Sequence, residues 1–160
     1  MKKGSILFLK IVICLIGIVT LFLMLWEPHN EGRNVNATVF EIYFNDPFLA
    51  YVYFGSIPFF FALYQGIKLL SYIEKNMIFS QPSVKAVRNI KYCGLALIFF
   101  IVGAEAFLFI VQRGKEDITG AVMLGLITIF ITSVVTTAAA VFQKLLQNAV
   151  DLKAENDLTV

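Results

Sequence analysis

The chain has 160 residues, 59% of them hydrophobic, and a formal net charge of only +2. A water-soluble domain of this size keeps a polar surface around one core, and here the polar residues are too few for that. They collect between long apolar runs instead of recurring at helical spacing, which argues against a soluble bundle and for an integral membrane protein.

The first apolar run, residues 6–26, follows Met1-Lys2-Lys3. It is longer than the apolar region of a secretory signal, and Leu25-Trp26-Glu27-Pro28 offers no small-x-small cleavage site, so it is expected to be a retained first span. The first connection, residues 27–46, is the longest loop, and its Thr38–Phe44 stretch suits either a short strand or an interfacial segment. Asn36-Ala37-Thr38 matches the glycosylation triplet, a pattern common by chance. Asp46-Pro47 suits a helix start, because aspartate caps and proline is tolerated in the first turn.

The second span, residues 47–70, contains Pro58, which removes one backbone hydrogen bond and is expected to kink the helix. Ala62 and Gly66 let a neighbour come close, and the helix is expected to run on to about Asn76. Ser80 is the expected cap of the next helix, with Pro82 in its first turn. From there Val84, Val87 and Ile90 oppose Lys85, Arg88 and Lys91, an amphipathic basic lead-in to the third span, residues 92–111. Such a lead-in fits anionic headgroups and topology; the sharper reading is a docking face for a soluble partner.

The fourth span, residues 118–142, carries Ala121, Gly125, Thr128, Thr132, Thr136 and Ala140, nearly all four apart. Small residues at this spacing serve close packing inside the four-helix unit, and a homo-oligomer contact is the alternative. Beyond Phe142 an apolar stripe persists through Leu145, Leu146, Ala149, Val150 and Leu152, so the helix is expected to reach about Ala154.

The cations set the topology. Lys2, Lys3, Lys10, Lys68, Lys75, Lys85, Arg88, Lys91, Lys144 and Lys153 fall on one side, against Arg33, Arg113 and Lys115 on the other. Positive residues stay cytoplasmic, so both termini, the hairpin 72–91 and the tail 143–160 are expected in the cytoplasm. Trp26, Tyr43, Tyr51 and Tyr53 then form an outer interfacial belt. The whole chain reads as one all-α membrane domain, a four-helix bundle with helices extending into the cytoplasm.

Little chemistry is legible. Cys14 and Cys93 are expected to serve packing and not to form a disulfide. The single histidine, His29, has no partners for a metal site. There is no phosphate-binding glycine loop and no activated serine, so neither an enzyme nor a cofactor is expected. Glu105, in Gly103-Ala104-Glu105-Ala106, is the one ionisable residue deep within a span. A carboxylate there is costly and is expected to face the bundle interior. Thr20, Ser56 and Thr128 lie at a similar depth and are its expected hydrogen-bond partners. A structural link between helices is the simplest role; a cation or proton site and a small ligand pocket are the alternatives.

The connection and the tail carry a resemblance. Leu69-Leu70-Ser71-Tyr72-Ile73-Glu74-Lys75-Asn76 runs on through Phe79-Ser80-x-x-Ser83-Val84-Lys85-Ala86-Val87-x-x-Ile90-Lys91-Tyr92, and the chain ends Asp151-Leu152-Lys153-x-Glu155-Asn156-Asp157-Leu158-Thr159-Val160. This resembles a family of small four-span bacterial membrane proteins of unknown function, often encoded beside a Cro/CI-like helix-turn-helix regulator. The resemblance implies a non-enzymatic protein that holds a small DNA-binding regulator at the membrane without touching nucleic acid itself. Lys75, Phe79, Ser80, Ser83, Lys85, Arg88, Lys91, Leu145, Leu146, Asp151, Glu155, Asn156 and Asp157 are the candidate contacts. The other readings are an immunity or stress-protection protein acting within the bilayer, and a solute or ion pathway through Glu105.

Overall fold

A computed structural model describes residues 3–30, 38, 40–41, 47–112 and 118–158, without the side chains of His29, Asn30, Gln112, Asp157 and Leu158. Lys2, the cations Arg33, Arg113 and Lys115, the triplet's Asn36 and Ala37, and Asp46 lie outside the described residues. The elements are α1 (Lys3–Asn30), α2 (Pro47–Glu74), α3 (Gln81–Phe107), a π-helical turn (Leu108–Gln112) and α4 (Thr119–Leu158). All four α-helices are long and apolar enough to cross a bilayer. Their outward sides carry large bare apolar groups such as Phe99 (74% exposed) and Phe130 (70%). Such surfaces are untenable in water and ordinary against lipid.

The helices pack in chain order. α3 is central, with α2 on one side and α4 on the other, and α1 lies against α2. No comparable seam joins α1 to α4 among the described residues, so the bundle is open along that edge.

Glycines set how closely the helices approach. A Cβ on Gly94 of α3 would overlap the Thr136 hydroxyl of α4, and one on Gly125 of α4 would overlap the Glu105 carboxylate of α3. Both pairs are separated by the same interval along each helix, about three turns, which fixes an antiparallel register. The shielded residues of α4 include a three–four alternation, Val122, Gly125, Ile129, Thr132, Thr136, Ala139, Gln143, Leu146 and Val150, flanked by half-buried Ser133, Ala140, Gln147 and Ala149. That is the seam of a left-handed helix pair. It takes only Gly125, Thr132 and Thr136 from the small-residue stripe, leaving Ala121 and Thr128 exposed and Ala140 half-buried.

On the other side of α3, Tyr51 of α2 donates to the Phe100 carbonyl at 2.9 Å, and its hydroxyl occupies the space that a side chain at Gly103 would need. Phe48 stacks on Phe107 with centroids 5.1 Å apart. α1 is held to α2 at both ends: Tyr53 donates to the Met24 carbonyl at 2.7 Å, and Lys10 pairs with Glu74 at 2.7 Å.

The α2–α3 hairpin is built by local chemistry. Asn76 takes φ 57°, Met77 N–H donates to the Tyr72 carbonyl at 2.8 Å, and Asn76 N–H donates to that of Ile73 at 3.1 Å. This is a Schellman stop with asparagine in the left-handed position. It ends α2 close to the expected boundary. α3 then starts after Ser80, with Pro82 in its first turn, as expected. The Ser80 side chain, however, does not cap α3. It donates back to the Met77 carbonyl, as Ser83 does at 2.9 Å. The two serines tie the turn together instead.

In the first connection Phe40 and Glu41 are helical. Thr38 and Glu41 exchange bonds in a capping box: Thr38 N–H donates to the Glu41 carboxylate at 2.8 Å, and Glu41 N–H to the Thr38 hydroxyl at 3.3 Å. The rest of the expected strand or interfacial segment, residues 39 and 42–44, lies outside the described residues.

Candidate functional site

The tightest packing lies at the end of the molecule formed by the α2–α3 hairpin and the last turns of α4. Val84 and Val87 of α3 meet Ala139 and Leu146 of α4, with Leu69, Ile78, Ile90 and Val150 around them. In water, full burial of one such large side chain contributes roughly 1.5–3 kcal/mol. The hairpin and the α4 extension thus form one rigid platform. From Phe142 to Leu158 α4 continues without a break for about 24 Å at ~1.5 Å per residue.

The candidate contacts divide on this platform. Ser83 is fully buried and Leu146 is 3% exposed, so both hold the platform together from inside. Ser80 is half-buried within the turn. Lys75, Phe79, Leu145, Asp151, Glu155 and Asn156 are exposed on the outside. Asp151 accepts from Gln147 one turn back at 2.7 Å, and the Asp157 side chain lies outside the described residues. The Lys91 ammonium sits 4.6 Å from the Tyr92 ring centroid. Met77 (44% exposed), Phe79 (54%) and Leu152 (61%) are bare apolar side chains at this end of the molecule.

Lys85 and Arg88 belong to a different surface. With Lys68 of α2 they line a cleft of about 710 Å³ between α2 and α3. Gln65, which also lines that cleft, is only 5% exposed. Neither Gln65 nor Lys68 stands out in sequence as a site residue, because a glutamine and a lysine near a span end are ordinary snorkelling residues. Only the rotation of α2 against α3 brings them together with Lys85 and Arg88.

Glu105 faces α4, towards the bundle interior as its cost in lipid requires. Its expected partners are not what it meets. Ser56 donates to the Tyr53 carbonyl and Thr128 to the Leu124 carbonyl, each at 2.7 Å. Hydroxyls in helices satisfy themselves on the preceding turn, so equal depth does not make them partners. Thr20 makes no hydrogen bond with Glu105 among the described residues. The carboxylate packs on the bare backbone at Gly125, and its Oε2 is buried without a hydrogen-bond partner among the described residues. One turn on, the Leu108 N–H is shared between the Ala104 and Glu105 carbonyls as α3 passes into the π-helical turn.

Both thiols, exposed Cys14 and buried Cys93, are free. Among the described residues no group of three His, Cys, Asp or Glu side chains could hold a metal ion.

Four spanning helices with a Lys- and Arg-rich hairpin invite comparison with known membrane proteins. Residues 34–160 match the family described as protein of unknown function DUF2975. The chain belongs to this family. It is also 44% identical, over the whole of both chains, to the uncharacterized membrane protein YoaS of Bacillus subtilis strain 168. No solved structure matches. Family membership accords with the resemblance of the hairpin and tail, and the protein is a membrane protein with four spanning helices.

Proposed function

We propose that this protein is a non-enzymatic membrane regulator whose hairpin and α4 extension face the cytoplasm and hold a soluble protein, a small helix-turn-helix regulator, at the membrane. The observation that carries this reading is the platform itself: a packed helical unit at the hairpin end that leaves Met77, Phe79 and Leu152 bare. Crossing a bilayer requires none of these. Surface charge contributes little to such a complex, about 0–1 kcal/mol per exposed ion pair, so apolar anchors must supply the affinity. The cation distribution supports the orientation, and the resemblance of the hairpin and tail supports the class of partner.

The test is co-purification from detergent with a small helix-turn-helix protein, should one be encoded beside it. Deleting residues 143–160 is unsuitable, because Leu146 and Val150 belong to the platform core. Phe79→Glu and Leu152→Glu leave that core intact. Retention by the wild type and loss in the double variant supports the reading; no retention by the wild type, or equal retention by the variant, overturns it.

A second reading has one observation in its favour. The unpartnered Glu105 Oε2 suits a proton or a small cation, so the protein would act within the bilayer. Liposome flux abolished by Glu105→Gln supports it, and absence of flux in the wild type rejects it.

A further inference from the structure

We propose that the cleft between α2 and α3 binds the phosphate group of an anionic membrane lipid. Three cations converge there from two helices, Lys68 from α2 and Lys85 and Arg88 from α3. Lys85 and Arg88 are three residues apart and so share one helical face. None of the lining residues is acidic. Glu74 is paired with Lys10, and none of the three cations has an acidic partner among the described residues. Like charges gathered this way repel one another and favour an anion between them.

Gln65 points independently to a ligand. It is more than nine-tenths buried and makes no hydrogen bond with any described residue. Its amide is not sealed in protein, for it lines the cleft. A phosphate oxygen held by the cations would accept from its NH₂.

The shape of the cleft selects a lipid over a free anion. Phe61, Tyr64, Gln65, Lys68 and Tyr72 lie on one face of α2, which rises about 16 Å from Phe61 to Tyr72 at ~1.5 Å per residue. The wall passes from aromatic rings at the membrane side to cations and a tyrosine at the hairpin side. The Lys68 ammonium stands 4.9 Å over the Tyr64 ring centroid, and Phe61 lies 6.3 Å from Tyr64 between centroids. That order matches a lipid, with acyl chain against the rings and phosphate against the cations. Basic pockets between spanning helices on the cytoplasmic side are suited to such headgroups. A free phosphate would have no use for the aromatic wall.

Native mass spectrometry of the full chain, delipidated in detergent and titrated with phosphatidylglycerol, cardiolipin or phosphatidylcholine, tests this. Expected is one anionic lipid bound with roughly tenfold or greater preference over phosphatidylcholine. Lys68→Gln/Arg88→Gln should lose the preference, whereas Lys75→Gln/Lys144→Gln, which removes the same charge elsewhere, should keep it. Gln65→Glu, which places a negative charge in the cleft, should lose it too, and the Lys68→Gln/Arg88→Gln result stands if Gln65→Glu does not fold. Equal binding of phosphatidylcholine, or equal loss in the Lys75/Lys144 control, overturns the site. Displacement of the lipid by millimolar inorganic phosphate overturns the lipid assignment in favour of a free anion.

Discussion

The carboxylate of Glu105 on α3 lies in the space that a side chain at Gly125 would occupy on α4. The two positions are therefore one site. A Cβ at Gly125 would collide with the far end of a flexible side chain, so Gly125→Ala is expected to displace the carboxylate and leave the backbone in place. Displacing it towards lipid is costly, so Gly125→Ala should destabilise the protein in detergent by about 1–3 kcal/mol, the usual range for overpacking. In a Glu105→Ala background the same change should cost almost nothing. Thermal unfolding of the four proteins of that cycle measures the coupling. Equal effects of Gly125→Ala in both backgrounds would show that the two residues do not share the site.

The Gly94–Thr136 contact differs in kind. A Cβ at Gly94 would meet both the hydroxyl and, at 3.1 Å, the Cβ of Thr136. The latter is fixed to the α4 backbone and cannot swing away. Gly94→Ala should therefore separate α3 from α4 and destabilise more than Gly125→Ala. Gly120, with nothing within 4 Å of a built Cβ, is the control. Gly120→Ala should be neutral or stabilising by up to ~1 kcal/mol through helix propensity. Melting temperatures in one detergent rank the three variants, and any order other than Gly94, Gly125, Gly120 from worst to best contradicts the packing described.

These contacts show how far the sequence could be read. The spans, the end of α2 near Asn76, the restart after Ser80 and the extension of α4 follow from apolar run length and from punctuation by Asn, Ser and Pro. The inward turn of Glu105 follows from the cost of charge in lipid. Its neighbour does not, because depth fixes position along the helix axis and says nothing of rotation about it. Thr128 and Gly125 are less than one turn apart, yet Gly125 faces α3 and Thr128 is exposed. The cleft is illegible for the same reason: Lys68 and Arg88 line it together only through the rotation of α2 against α3. Ser80 takes the expected N-cap position of α3, but its hydroxyl goes to the Met77 carbonyl in the turn, a choice that sequence does not reveal.

The platform at the hairpin should behave as one cooperative unit. Leu146 is 3% exposed among Val84, Val87 and Ala139. Leu146→Ala removes the largest side chain of that cluster and should cost about 2–5 kcal/mol. Leu145→Ala, one residue away but 59% exposed, should cost far less. Hydrogen exchange in detergent reads the consequence locally. Amides of 83–91 on α3 should lose protection in the Leu146 variant, although the substitution lies on α4. Loss confined to α4 would show that the hairpin is stable without it.

The ion pair between Lys10 and Glu74 gives a pH dependence of known sign. The hydrogen bond from Lys10, and then its charge, hold the Glu74 carboxyl below its ordinary value of 4.5, with smaller help from Lys3 and Lys75 against slight desolvation. A carboxyl lowered in the folded protein contributes stability that is complete above 4.5 and lost as pH falls through the folded-state value. Acidification should therefore release α1 from α2 at the hairpin end, leaving the Tyr53–Met24 bond at the other end unaffected. The effect must stay small, because the pair is exposed to water and salt. Carbon-detected NMR of Glu74 should show a midpoint below 4.5 in the wild type, rising towards 4.5 in Lys10→Met. An unchanged midpoint in Lys10→Met would mean that the contact is not populated in solution, and that Tyr53 and the packing of Leu63 and Ile13 on Gly17 and Gly66 set the position of α1 on α2.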